Sequence, residues 1–183
     1  MTEPIDHLVA ELRRVFESDP KGTSAADLLK TYAAEHDDWR RFAFFERDGY
    51  TRNLIDANEH FELLLLCWAP GQRSPVHNHE GQNCWMAVLE GEMTEERFAL
   101  PTDHGPLAAG AQLQLRAGEV AFIRDEIGLH VVSPSNGESG VSLHLYAAPI
   151  PECNCYCEET GRVTRRKLEF YSVRGERVRV AEA

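Results

Sequence analysis

The sequence contains no apolar segment that could cross a membrane. Its longest apolar run, from Leu63 to Pro70, is much shorter than the roughly 20 residues that a membrane-spanning helix needs. The N-terminus, from Met1 to Asp6, has neither a basic start nor an apolar centre, so it does not read as a secretory signal. We therefore expect a cytoplasmic protein without a membrane partner.

Positive charge is also scarce. Lysine and arginine together number 19 against 30 aspartates and glutamates, which gives a formal net charge of -11 at pH 7. A chain this acidic repels nucleic acid and anionic membranes, and its one basic cluster, from Arg162 to Lys167, is short. A nucleic-acid partner is not expected.

Cysteine is present only as an irregular set of five, an odd count without a disulfide framework. The chain has 183 residues, 43% of them hydrophobic, so it can fold around a core without covalent staples, and we expect reduced thiols. Cys153, Cys155 and Cys157 alternate and could chelate a soft metal. A closed structural zinc site needs four ligands, usually from two separated pairs, so free thiols are the favoured interpretation.

Internal repeats, low-complexity segments and long linkers are absent as well, which favours one domain over residues 1–183. Residues 1–48 have a helical pattern, with Ser24 as a candidate N-cap. The predicted helices run from Ile5 to Phe16, from Ala25 to Ala34 and from Trp39 to Phe45.

Residues 49–183 have a β pattern, in which short runs of β-forming residues are separated by turn signals at near-regular spacing. The predicted fold is therefore mainly β: a jelly-roll β-sandwich barrel with a small N-terminal helical layer, whose mouth could hold a ligand or metal. The predicted strands are Phe61 to Trp68, Cys84 to Leu89, Met93 to Phe98, Gln112 to Leu115, Val120 to Ile123, His130 to Val132, Ser142 to Tyr146 and Val163 to Tyr171.

Histidine supplies the main functional signal. His77 and His79 are one residue apart, and in an extended segment such residues share a face, so both rings can close on one metal ion. A third ligand would come from His130, which follows Gly128 at the start of a short strand, or from His144. Three imidazoles suit iron, zinc, copper or nickel and leave open positions for a substrate. Taken singly, each histidine could instead be a polar strand-edge or hydrogen-bonded core residue.

The segment around this pair resembles the first motif of the cupin family, in which one glycine precedes His-x-His and another follows it. Gly71, His77, His79 and Gly91 match this motif. Most cupins have a ligand glutamate where this chain has Cys84. The resemblance therefore implies a site of three histidines without a carboxylate.

Cys84 in place of the glutamate occurs together with the segments from Tyr50 to Leu54, from Ile127 to His130 and from Ser142 to Tyr146. With these segments the chain resembles the thiol dioxygenases, and specifically the cysteine dioxygenase family, over about residues 49–161. That family holds a mononuclear ferrous iron. The resemblance implies Fe(II) as the cofactor, with His77, His79 and His130 as its ligands.

The same resemblance implies that Arg52, with Tyr50 beside it and Tyr146 nearby, binds the substrate carboxylate. An arginine fork can give a carboxylate two charge-assisted hydrogen bonds, a geometry that lysine or glutamine cannot reproduce. Related enzymes acting on 3-mercaptopropionate commonly have glutamine at this position, so Arg52 favours cysteine as the substrate. On the sequence alone, this arginine could also lie in a surface salt bridge.

Ser142, His144 and Tyr146 alternate along one predicted strand and therefore share a face. The resemblance implies that they form a catalytic relay of hydroxyl, imidazole and phenol, and that a thioether cross-link joins Cys84 to Tyr146. The pattern by itself would also fit a water-filled polar row, and Cys84 an ordinary buried thiol. Family positions near the pocket are occupied by Trp68 and Cys153.

The resemblance to this family implies a non-haem iron dioxygenase that converts L-cysteine and dioxygen to cysteine sulfinic acid. The alternatives are a dioxygenase of another small thiol, such as 3-mercaptopropionate or cysteamine, and a non-catalytic metal-binding cupin. Nothing resembling a DNA-binding or signalling module accompanies the β region, which counts against a sensor. A monomer is the expected state.

Overall fold

The computed structural model describes residues 3–101 and 105–178. Its helices are α1 (Pro4–Ser18) and α2 (Ala25–Glu35), followed by a short 3-10 helix (Asp38–Phe42). Its strands are β1 (Thr51–Ala57), β2 (Glu62–Trp68), β3 (Val76–His77), β4 (Cys84–Glu90), β5 (Glu92–Phe98), β6 (Ala109–Arg116), β7 (Val120–Ile123), β8 (Leu129–Pro134), β9 (Gly140–Tyr146), β10 (Glu152–Tyr156), β11 (Val163–Lys167), β12 (Ser172–Val173) and β13 (Glu176–Arg177).

The strands form two sheets whose inner faces share one apolar cluster. One sheet has the order β13-β12-β1-β2-β9-β4-β7, and the other has the order β11-β10-β3-β8-β5-β6. Neighbouring strands come from distant parts of the chain, and β1 and β12 pair in parallel while the other pairs described are antiparallel. The architecture is the predicted mainly β double sheet with an N-terminal helical layer.

The helices cover the outer face of the larger sheet because α1 carries an apolar stripe. Ile5, Leu8, Leu12 and Phe16 recur at helical spacing, and all four are buried in one cluster with that sheet. Pro4 fits the first turn, where its missing N–H costs no helical hydrogen bond. Among the residues that the structure describes, no helix is long and apolar enough to cross a membrane.

The β2 strand is buried along its whole length because both of its faces are covered. Leu63 and Leu65 pack on the helical side, whereas Leu64 and Leu66 pack between the sheets. Each fully buried leucine contributes about 2 kcal/mol to folding. The continuous apolar run in the sequence therefore reflects a central strand between two layers rather than a membrane segment.

The β9 strand divides its side chains in the same way. Leu143 and Leu145 face the helices, so the alternating residues Ser142, His144 and Tyr146 face the space between the sheets. A shift of one residue in register would move this polar row to the helical side. The apolar residues on β9 thus fix the direction of the functional ones.

Several elements differ from the sequence pattern. The third predicted helix is a 3-10 helix that ends at Phe42, and the last predicted strand ends at Lys167. The pattern does not predict β1 and β10, which carry polar side chains and are held as strands by partners on both edges. It also misses β3, β12 and β13, which are only two residues long. Tertiary pairing overrides weak local preference at these positions.

Candidate metal centre

Three histidine rings converge on the smaller sheet. His77 is the last residue of β3, His79 follows in the next loop, and His130 lies opposite His77 on β8. One ring nitrogen from each lies within 4.8 Å of the others, and the Nε2 atoms of His77 and His130 are 3.2 Å apart. The structure thus brings together the residues that the sequence predicts as metal ligands.

Gly128 explains how the chain enters β8 at this point. Its φ is 146°, and a Cβ atom there would come within 2.4 Å of the Phe98 carbonyl oxygen on β5. Only glycine allows the two backbones to approach so closely. A larger residue at position 128 would therefore displace the start of β8, and His130 with it.

Two of the rings are oriented by hydrogen bonds at their outer nitrogen. His130 Nδ1 lies 2.9 Å from the Oε1 atom of Glu95, and His77 Nδ1 donates to the Pro75 carbonyl oxygen at 2.9 Å. With the Nδ1 proton used in this way, each Nε2 keeps its lone pair toward the other histidines. This is the tautomer that a metal ligand requires.

Glu95, which contacts His130, is a residue of this site that the sequence pattern does not predict. Arg97 binds its two carboxylate oxygens at 3.2 and 3.1 Å and donates to the Phe122 carbonyl oxygen at 2.8 Å, so the carboxylate is held in place. Glu95 is 1% exposed, although it lies in an acidic stretch that reads as a solvated strand face. The available signal is its spacing from Met93, since residues two apart on β5 share the inner face.

His79 is positioned through its backbone. Its N–H donates to Asp125 Oδ1 at 2.7 Å, and the N–H of Gly81 donates to the other carboxylate oxygen at 2.8 Å. Both ring nitrogens of His79 are buried, and neither has a hydrogen-bond partner among the described residues. An unpaired buried polar group is costly, so a metal bound to this ring would remove the deficit.

Burial keeps the three imidazoles neutral. It lowers the pKa of His77, and it lowers the pKa of His79 and His130 well below the usual range, with neighbouring imidazoles adding to both shifts. Neutral imidazole is the form that donates to a metal. The group has the donor set of a site for iron, zinc, copper or nickel with positions left for other ligands.

His144 lies outside this group and belongs to a hydrogen-bonded chain. The indole N–H of Trp68 donates to Ser142 Oγ at 2.9 Å, and the same oxygen lies 2.9 Å from His144 Nε2. His144 Nδ1 is 3.5 Å from the hydroxyl oxygen of Tyr146. The structure therefore places His130 with the metal group and His144 in the predicted relay.

The direction of this chain follows from its first donor. Because indole can only donate, Ser142 Oγ accepts from Trp68 and has its own proton free for His144 Nε2. The proton of His144 is then on Nδ1, facing Tyr146. Burial lowers the pKa of His144 to about 3 and raises that of Tyr146 well above its usual value, so the imidazole is neutral and the phenol protonated.

A pocket beside the three histidines is lined by Arg52 on β1 and by His144 and Tyr146 on β9. Arg52 is paired with a buried carboxylate. Its Nη2 lies 3.1 Å from Glu62 Oε1, and both side chains are at least nine-tenths buried. The Nε of Arg52 is buried without a hydrogen-bond partner in the described residues. Tyr50 stacks on Trp68 beside it, with ring centroids 4.4 Å apart. The surface salt bridge considered for Arg52 is therefore not what forms, and Glu62 is a partner that the sequence did not reveal.

Cys84 and Tyr146 are neighbours across β4 and β9, and Cys84 is 1% exposed. Burial raises the pKa of the Cys84 thiol well above its usual value. Cys153 and Cys155 line the pocket, and all five cysteines are free thiols. In the described part of the chain, the three histidines are the one cluster with metal-ligand spacing, which gives no support to a zinc site on β10.

Comparison with known families gives a match over most of the chain. The family model described as cysteine dioxygenase type I matches residues 2–159. The chain is 34% identical to cysteine dioxygenase type 1 of Danio rerio over 180 residues, which are 96% of this chain and 90% of that protein. It is 33% identical to cysteine dioxygenase type 1 of Homo sapiens over 169 residues, or 90% and 84% of the two chains.

Solved structures support the fold. A protein with a double-stranded β-helix domain from Klebsiella pneumoniae superposes with a TM-score of 0.52 at 15% identity, covering 74% of this chain and 97% of that one. A protein of Thermus thermophilus superposes with a TM-score of 0.50 at 24% identity, covering 62% and 97%. The predicted cupin type of β architecture is confirmed by these neighbours.

Proposed function

The chain belongs to the cysteine dioxygenase type I family, and from that premise we propose that it is a non-haem iron(II) enzyme converting L-cysteine and dioxygen to cysteine sulfinic acid. Both oxygen atoms are added to the sulfur, so no other product is formed. The observation that carries the proposal is the set of three converging neutral imidazoles beside a pocket that also presents Arg52.

The proposed ligands of the iron are His77, His79 and His130. The unpartnered ring nitrogens of His79 support this assignment, because the fold buries them at a cost that a metal would remove. When bound, ferrous iron would supply the redox chemistry and open positions that allow dioxygen to react with a thiol. Because none of the three proposed ligands is a carboxylate, the substrate thiolate would be the ligand that brings negative charge to the metal.

Arg52 is proposed to bind the carboxylate of cysteine. Its guanidinium lines the pocket and has an unpartnered Nε, so it retains donors for a substrate while Glu62 holds one of its Nη atoms. A planar fork of this kind suits a carboxylate. Tyr50 is proposed to take part in substrate binding from its stacked position on Trp68.

Ser142 and His144 are proposed to hold the Tyr146 hydroxyl ready to donate. The chain from Trp68 puts a proton on His144 Nδ1, so the Tyr146 oxygen accepts from the imidazole and its own proton is left for the pocket. A phenol that stays protonated in a buried site can donate to the substrate or to oxygen. These residues therefore orient and stabilise the reactants rather than remove a proton from the thiol.

Apolar walls limit the access of water to the reacting groups. The pocket is lined by Leu66, Val132, Ile150 and Leu168 in addition to its polar residues. Water exclusion strengthens the hydrogen bonds and ion pairs inside a site and protects it from side reactions. A small thiol amino acid suits a pocket that is polar at one side and apolar elsewhere.

The test is oxygen consumption by anaerobically iron-reconstituted protein given L-cysteine, with cysteine sulfinate quantified by mass spectrometry. Equal amounts of oxygen consumed and sulfinate formed are expected. Turnover of 3-mercaptopropionate or cysteamine in preference to cysteine would overturn the substrate. Bound iron without oxygen uptake from any of the three thiols would leave a non-catalytic metal-binding cupin.

The expected monomeric state and cytoplasmic location are part of the same proposal. Five free thiols fit a reducing compartment, and the strong negative charge disfavours self-association. Light scattering of the purified protein and fractionation of the source cells test these two points.

A further inference from the structure

The positive charge of Arg52 is already balanced within the protein. Glu62 pairs with it at 3.1 Å in a buried site and lies near the backbone N–H of Ile150. Burial raises the pKa of Glu62, while the charge of Arg52 and the Ile150 hydrogen bond oppose that rise and favour the ionised form. A substrate carboxylate gains less from Arg52 than from an unpaired guanidinium, because Glu62 offsets part of the Arg52 charge.

A second arginine faces the same pocket. Arg166 on β11 lines it together with Arg52, and the two residues also share an adjoining open groove. Cross-strand pairing sets Arg166 opposite Cys153, another residue of the pocket wall. The side chain lies at the mouth, since Arg166 is exposed where Arg52 is buried.

Arg166 differs from the preceding residue, Arg165, in its ion pairs. Arg165 pairs with Glu80 at 2.7 Å and with Glu152 at 3.2 Å. Among residues 3–101 and 105–178, no carboxylate pairs with Arg166 in this way. An unpaired guanidinium at a pocket mouth is free to meet an anion.

The two arginines act on the same groups inside the pocket. Burial raises the pKa of Tyr50, and the charges of Arg52 and Arg166 both oppose this rise. His77 lines the same pocket as both guanidinium groups. A carboxylate placed between Tyr50 and the metal group would therefore lie within the field of both cations.

We propose that Arg166 is a second carboxylate-binding residue, which supplies at the pocket mouth the positive charge that Glu62 cancels on Arg52. Arg52 binds the carboxylate of the thiol substrate from inside the pocket, and Arg166 contacts it from the mouth. This inference deepens the proposed function and rests on it. It also gives a purpose to the one basic segment of an acidic chain.

The test compares R166Q with R165Q, its matched control on the same strand. Binding of L-cysteine to iron-loaded protein is measured by calorimetry without oxygen, and KM and kcat are measured with oxygen. For R166Q we expect binding about threefold to tenfold weaker, a KM raised by a similar factor and an unchanged kcat, because the lost contact is ionic and partly exposed to solvent. R165Q should bind like the wild type.

Cysteamine and E62Q make the test specific to charge. Cysteamine is a thiol without a carboxylate, so R166Q should bind it as the wild type does. Adding E62Q to R166Q should restore cysteine binding, because Arg52 then keeps its full charge for the substrate. R166Q that binds cysteine as tightly as R165Q, or that loses cysteamine equally, would overturn the role of Arg166. A double variant no tighter than R166Q would overturn the cancellation by Glu62.

The failures of the two proposals are distinguishable. Iron-loaded wild type that forms no sulfinate from any of the three thiols would overturn the proposed function and the inference that rests on it. Wild type that forms sulfinate while R166Q and R165Q behave alike would overturn the inference alone.

Discussion

Cys84 and Tyr146 lie directly opposite each other on the antiparallel strands β4 and β9, with both side chains in the cluster between the sheets. Residues in such positions have Cβ atoms about 5 Å apart, so a cysteine sulfur can reach the ring of a facing tyrosine. The predicted thioether therefore requires no rearrangement of the backbone. Cys84 is exposed by 1% and Tyr146 by 5%, which protects both from other reagents.

We expect a fraction of the protein to carry this cross-link after turnover in the presence of iron and dioxygen. Forming the bond between Cys84 Sγ and a ring carbon of Tyr146 removes the thiol hydrogen and a ring hydrogen, and dioxygen accepts the two electrons. Intact mass spectrometry after denaturation should show a second species, lighter by one hydrogen molecule. C84S should show only the unmodified mass, and a wild type that also stays unmodified after prolonged turnover would contradict the cross-link.

Replacing Arg52 should separate substrate binding from stability. R52Q leaves Glu62 as an unpaired buried carboxylate, which is expected to cost about 3–5 kcal/mol of unfolding free energy. R52Q combined with E62Q removes that penalty but not the defect in binding. A lost charge-assisted contact of about 2 kcal/mol corresponds to a KM for cysteine about thirtyfold higher.

The measurements are urea unfolding and steady-state kinetics on the single and double variants. Cysteamine serves as the control substrate because it has no carboxylate for Arg52. A double variant with a normal KM for cysteine would show that the carboxylate binds elsewhere.

The roles of His130 and His144 should separate by metal content. H130A removes one of three ligands and should lose most of the iron, whereas H144Q should retain it and turn over more slowly. Iron per chain after gel filtration is the measurement, by plasma mass spectrometry. Full iron in H130A together with loss of iron in H144Q would reverse the two assignments.

Acid should destabilise the metal-free protein through its buried histidines. The pKa of His144 falls from 6.5 to about 3 on folding because of burial and the nearby charge of Arg52. Below about pH 6.5 the unfolded chain therefore binds a proton that the folded chain does not, and stability decreases by about 1.4 kcal/mol per pH unit for this residue. With respect to His144, the free energy of unfolding is highest above about pH 6.5 and decreases as the pH falls toward 3.

Urea unfolding between pH 7 and pH 4 measures this dependence. His77, His79 and His130 have lowered pKa values as well, so the total slope should exceed that of one proton. H144Q should reduce the slope by one proton. A wild-type stability that is flat over this range would contradict neutral burial of these rings.

The relay on β9 shows which features of a site an alternating sequence pattern can predict. Alternation alone places Ser142, His144 and Tyr146 on one face, and the apolar residues between them decide which face is buried. The order of the hydrogen bonds depends on Trp68, which lies on β2 and is hydrogen-bonded to Ser142 across the sheet. No spacing in the sequence identifies that donor.

Local periodicity and motif were enough to predict the β architecture and the histidine pair, and the family resemblance added the third histidine and the other pocket residues. The fold agrees with the resemblance in bringing His130 to the pair, and it alone revealed Glu95 behind His130, Glu62 behind Arg52 and Arg166 at the mouth. A charged side chain is stable in the interior only where a partner pairs with it. Partners in a double sheet come from strands far apart in the chain, so only the folded pairing brings them within hydrogen-bonding distance.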